Sequence, residues 1–188
     1  MLLNSPKRYG AVAVTLHWLI ALAIILMLAF GKYMHGLSDT DPNKFAFYQL
    51  HKSTGLTILA LSVLRLAWRS INVVPPLPPG MPPWQRWAAH GSHFLLYALM
   101  IGIPLSGWAR VSTDPIGIPT LWYGQFEVPP LPGLVPGQEI SHEFHEIHEL
   151  LGNAMILLLL AHIGAALKHH FWDRDTVFRR MLPFARVD

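Results

Sequence analysis

Four histidines lie inside or at the rims of long apolar runs: His17, His51, His148 and His162. An ionisable ring at membrane depth is costly, so as a rule it has a partner and a function. His148 and His162 share one run and stand fourteen residues apart. On an α-helix that interval turns through roughly 1400°, about 40° short of four full turns. Both rings would face the same way, separated by ~21 Å along the axis. That places one histidine near each side of a bilayer whose apolar core is ~30 Å thick. Two stacked metal cofactors, each taking a second axial ligand from another helix, would explain the spacing.

The elements that must hold these rings follow from composition. The chain has 188 residues, of which 52% are hydrophobic and only 13% charged. Soluble domains carry about 25% charged residues. With a mean hydropathy of +0.35, the values point to a membrane protein. Cysteine is absent, which excludes disulfides, thiolate metal sites, Fe–S clusters and covalent c-type haem attachment. Eleven histidines must then serve as the ligands if a metal is bound. Nucleic-acid motifs, sequence repeats and charge blocks are absent, and Ala11 to Phe30 reads as a membrane helix rather than a cleaved leader.

Four membrane-spanning helices are expected, at about 11–34, 45–68, 84–108 and 141–172. Residues 1–188 then form one transmembrane domain, an all-α four-helix bundle able to enclose two stacked metal cofactors. Pro104 should kink the third helix. Residues 35–44 read as a short polar turn and the Pro-rich stretch 73–83 as a stiff linker. Residues 109–140 read as the only long loop, with Trp122 and Tyr123 suited to the membrane interface.

Ten cations fall on one side: Lys7, Arg8, Arg65, Arg69, Arg86, Lys168, Arg174, Arg179, Arg180 and Arg186. The other side holds Lys32, Lys44, Lys52 and Arg110 against eight acids, Asp39, Asp41, Asp114, Glu127, Glu139, Glu143, Glu146 and Glu149. The positive-inside rule puts both termini in the cytoplasm.

This topology assigns depths. His51 and His148 fall near the outer side, His17 and His162 near the inner side, and each pair joins two helices. That is the arrangement for bis-histidine haem b in a bundle core. With both axial positions filled, such iron suits electron transfer. Gly55, Gly152 and Gly164 remove bulk on the histidine helices, for close cofactor approach or for ordinary helix packing.

Other histidines leave alternatives open. His142, His145 and His148 recur every three residues and could bind a metal. His90 and His93 could contact haem propionates or a quinone head group, or be ordinary surface groups. His169 and His170 suit the C-terminal end of a helix as cations, or the same propionate or quinone roles. Arg65 and Arg69, one turn apart, could meet anionic lipid or haem propionates.

The assembled motifs resemble the bacterial cytochrome b561 family over nearly the whole chain. They are Thr15-Leu16-His17-Trp18, Leu50-His51-Lys52-Ser53-Thr54-Gly55, Arg65-Leu66-Ala67-Trp68-Arg69 and Ala89-His90-Gly91-Ser92-His93. They continue with His148-Glu149-Leu150-Leu151-Gly152, Ala161-His162, His169-His170-Phe171-Trp172 and Arg180-Met181-Leu182-Pro183. The resemblance implies two non-covalent b haems in the bacterial inner membrane, with His17, His51, His148 and His162 as axial ligands. It implies electron transfer with ubiquinone as partner. The family includes a superoxide oxidase that passes an electron from superoxide at the periplasmic face to quinone. The alternative is a non-enzymatic carrier or membrane anchor between quinol and a periplasmic redox protein. The acidic outer side should slow an approaching anion, unless Lys32, Lys52 and Arg110 line an entrance.

Overall fold

A computed structural model describes residues 1–183. Arg186, counted above among the inner cations, lies outside the described residues. Four long helices form: α1 (Ala11–His35), α2 (Lys44–Ile71), α3 (Pro83–Thr113) and α4 (Ser141–Lys168). Each is long and apolar enough to cross a membrane. Their outward faces are greasy, as lipid contact requires: Leu22 and Leu26 on α1 and Leu157 and Leu160 on α4 are all exposed. Pro83 opens α3, where a missing N–H costs nothing. Pro104 lies inside α3 and leaves the Met100 carbonyl without its helical donor.

Consecutive helices pack side by side, α1 on α2, α2 on α3 and α3 on α4. The pair that would close the ring, α1 and α4, approach least closely along their backbones and meet through side chains such as Lys32 and Glu149. Leu16, Ile20, Ile24, Ile58, Met100 and Met155 form one buried layer drawn from all four helices. By chain position this layer separates the level of His17 and His162 from that of His51 and His148.

The N-terminal segment, the 73–83 linker and the C-terminal segment gather at one end. Asn4 Nδ2 donates to the Val73 carbonyl at 2.8 Å, and the Trp18 indole donates to the Met181 carbonyl at 2.6 Å. Beyond α4 the chain makes a π-helical turn (His169–Asp173) and later a 3-10 turn (Arg179–Met181).

The long loop is more ordered than a plain connector. α3 runs on past Trp108 to Thr113, and an antiparallel hairpin follows, β1 (Thr120–Trp122) with β2 (Phe126–Val128). The hairpin is sewn to α2. The hydroxyl of buried Ser53 shares its one proton between the Gln49 carbonyl (2.8 Å) and the Leu121 carbonyl (3.0 Å) and accepts from Tyr123 N–H (3.0 Å). Gln49 bonds Pro119 O and Leu121 N, and Trp122 donates to Thr57 Oγ1 at 3.2 Å. Backbone near the bilayer is tolerated only when its polar groups are met by protein, and these side chains meet them.

Candidate functional site: stacked histidine pairs beside an outer cavity

The helices bring the four expected histidines together in two pairs. On the outer level the rings of His51 (α2) and His148 (α4) have centroids 6.3 Å apart. On the inner level His17 (α1) and His162 (α4) are 6.4 Å apart. Two imidazoles bound on opposite faces of one metal ion, each at about 2.0–2.1 Å, would set their centroids about 6.3 Å apart. Ordinary ring contacts span that distance too, so the surroundings must discriminate.

The surroundings favour a cofactor on the outer level. A cavity of ≈ 820 Å³ lies there and is lined by His51 and His148, in the range of about 300–1,000 Å³ usual for cofactor sites. Gly55 and Gly152 line it as well, and a Cβ built on either meets nothing within 4 Å. These glycines therefore border open space, as a flat macrocycle would require. Gly164 also meets nothing within 4 Å, so it mediates no close helix approach.

The second contacts of His148 suit metal binding. Its Nδ1 lies 2.9 Å from the Ile103 carbonyl, which can only accept, so Nδ1 carries the proton. That leaves the Nε2 lone pair free for a metal, with the other ring nitrogen oriented by backbone. Ser106 donates to the same carbonyl at 2.8 Å, and its Oγ lies 3.1 Å from His148 Nδ1. Gly107 admits the ring: a Cβ there would sit 3.0 Å from His148 Cε1 and 3.2 Å from Nδ1. Gly31 serves His51 similarly, at 3.4 Å from Cε1. His51 Nδ1 is buried without a hydrogen-bond partner. None of Gly31, Ser106 and Gly107 stands out from spacing alone, although two small residues just after Pro104 are a signal of close approach.

The inner level differs. His17 and His162 do not line the cavity. Arg65 Nη2 donates to His17 Nδ1 at 3.1 Å. His93 on α3 is half-buried, with its ring centroid 5.8 Å from that of His162, so it faces the inner pair rather than solvent. His90 is exposed.

The remaining histidines sort differently from a metal reading of the α4 N-terminus. His142, His145 and His148 do not converge. His142 instead faces Glu146 at 3.8 Å. The only metal-competent cluster among the described residues is His169, Asp173 and Asp175. Its groups already satisfy one another: His169 Nδ1 lies 2.6 Å from Asp175 and 3.1 Å from Asp173, and Lys168 holds Asp173 at 2.7 Å.

Cations cluster at the cavity. Lys32, Lys44, Lys52 and Arg110 all line it. Lys32 pairs with Glu149 across the α1–α4 seam (3.1 Å), and Lys44 pairs with Asp39 (2.6 Å). Lys52 and Arg110 make no ion pair among the described residues. The outer side is acidic in sum, yet its cavity is locally basic.

Comparison with known proteins finds relatives along almost the whole chain. The family model described as prokaryotic cytochrome b561 matches residues 8–184. "Cytochrome b561 homolog 2" of Escherichia coli (strain K12) is 35% identical over 185 residues, covering 98% of this chain and 96% of that protein. "Cytochrome b561 homolog 1" of the same strain is 28% identical over 177 residues, 94% of this chain and 98% of that protein. "Probable superoxide oxidase CybB" of Yersinia pestis is 25% identical over 185 residues, 96% and 98% of the two chains. Four apolar helices, histidines paired across them, and a family match along almost the full length make this chain a member of the prokaryotic cytochrome b561 family, the haem b-binding electron-transfer proteins of bacterial membranes.

Proposed function

We propose that this chain holds two b haems, an outer one between His51 and His148 and an inner one between His17 and His162. We further propose that it oxidises superoxide at the periplasmic face and reduces ubiquinone. The observation that carries the two-haem reading is the pairing of rings on two levels, α2 with α4 on one and α1 with α4 on the other. When bound, haem iron supplies one-electron chemistry; the protein supplies ligation, orientation and a low-dielectric sheath. Gly31 and Gly107 let the outer rings approach, and Ile103 fixes the tautomer of His148. The Met100–Met155–Ile58 layer keeps water from the space between levels.

The superoxide reading is supported by Lys52 and Arg110. Cations without acidic partners beside a cavity raise the local concentration of a small anion despite an acidic surrounding surface. The name of the Yersinia pestis relative points the same way. Both termini face the cytoplasm of the inner membrane in this reading, consistent with the basic residues at that end.

A second reading has its own observation. Glu127, Glu139, Glu143 and Glu146 are all exposed on the outer side and could dock a basic periplasmic redox protein. The chain would then be a carrier between quinol and that partner. Stopped-flow mixing of the reconstituted protein with superoxide and ubiquinone separates the two. The enzyme reading expects quinone reduction and loss of superoxide faster than spontaneous dismutation. No acceleration removes it and leaves the carrier.

A further inference from the structure

Arg65 stands out on the inner level. It lies on α2, half-buried, with Nη2 on His17 Nδ1 (3.1 Å) and Nε on the Tyr97 hydroxyl (3.2 Å). Its remaining nitrogen, Nη1, is buried with no partner at all. Arg69, one turn on, lies with its guanidinium carbon 5.9 Å from the centroid of the same Tyr97 ring. Among the described residues neither arginine forms an ion pair. The groups facing Arg65 are His17, Tyr97, His93 and His162, and none supplies a negative charge. Guanidinium groups stay charged in proteins, and a charge taken from water without a counter-ion is strongly unfavourable. A negatively charged group from outside the chain would meet both this charge and the open Nη1 donor.

The bond from Arg65 to His17 adds a second argument. Arginine only donates, so His17 Nδ1 accepts and its proton sits on Nε2. A histidine ligating through Nε2 needs the opposite tautomer, with Nδ1 protonated. Ligation by His17 thus requires Arg65 to let go of the ring and find another acceptor. We propose that Arg65, with Arg69 beside it, is the carboxylate site of the inner level, receiving the propionate arms of the inner haem. This rests on the two-haem reading above. Arg65 would then exchange its bond to His17 Nδ1 for one to the carboxylate as His17 becomes a ligand. It is a positioning residue for His17 as well as an anion site. Anionic lipid phosphate is the rival source for the same guanidinium chemistry.

The test uses the full chain carrying His51→Ala, which leaves only the inner level able to bind. The apoprotein is reconstituted with haem b or with haem b dimethyl ester, whose side arms are uncharged. Transfer of each porphyrin to a haem-scavenging protein gives its dissociation rate. We expect haem b to be held more tightly than the ester. Arg65→Gln should speed loss of haem b by roughly ten- to a hundredfold, as expected for a charge-assisted bond, and leave the ester unchanged. Arg65→Lys, which keeps the charge, should recover part of the preference. Equal weakening of both porphyrins in Arg65→Gln and Arg65→Lys would mean a scaffolding role and overturns the inference. No weakening of either overturns it in favour of lipid phosphate. If the Arg65-intact chain takes up neither porphyrin, the haem reading itself fails, and this inference with it.

Discussion

The His148 ring is set by two atoms of α3, the Ile103 carbonyl oxygen and Ser106 Oγ, and by the room left where Gly107 lacks a Cβ. Gly107→Ala drives a methyl group to about the 3.0 Å contact a Cβ would make with the ring. Backbone on one side and ring on the other leave little room to give. The expected outcome is a displaced or lost outer ligand, read as high-spin haem by electron paramagnetic resonance, whereas Gly164→Ala should be silent. At the same scale, His51→Ala and His148→Ala should each lose the outer haem and spare the inner one. Pyridine haemochrome assay should then fall from about two haems per chain to about one; either variant with full haem content contradicts the assignment. Lys52→Gln with Arg110→Gln should slow superoxide consumption roughly tenfold at low salt, with the difference shrinking at high salt. The histidine pairs are legible in the amino-acid order, because helix direction alone assigns each ring a depth. Arg65 on His17 and Gly107 under His148 are not legible. They depend on the rotation of one helix against another, which no pattern within a single helix records.

At the scale of elements, the hairpin of β1 and β2 is the part least foreseen. Its strands are three residues each, too short for alternation to announce them, and Trp122 and Tyr123 read equally well as interface aromatics. What holds it is α2, through Gln49, Ser53 and Thr57. Ser53 is fully buried and serves three backbone groups, so Ser53→Ala leaves Tyr123 N–H and the Leu121 carbonyl poorly met. A buried unsatisfied group costs about 1–3 kcal/mol, concentrated here in the hairpin. Hydrogen exchange at the Leu121 and Tyr123 amides should accelerate, roughly ten- to a hundredfold, while haem content holds. Unchanged exchange would mean the hairpin is held by something other than α2. The helices themselves were announced by long apolar runs. Most of their ends fall within a few residues of expectation, and the exception is α3, which continues through Trp108 to Thr113 on residues that read as loop.

For the molecule as a whole, one asymmetry organises everything else. Three neighbouring helix pairs approach closely along their backbones, and the fourth, α1 with α4, does so least. That seam holds the His17–His162 level and is bridged at its outer end by Lys32 and Glu149. Orientation can be read directly because the chain lacks cysteine. A single Ser5→Cys should react with an impermeant maleimide only from the cytoplasmic side, and Thr40→Cys only from the periplasmic side; the reverse pattern contradicts the proposed topology. The most direct measurement of the central claim is a reduced-minus-oxidised optical spectrum of the purified protein with iron counted per chain. The account predicts a b-type haem spectrum and about two irons, each six-coordinate with two imidazoles. A colourless protein, or one iron per fully loaded chain, contradicts it.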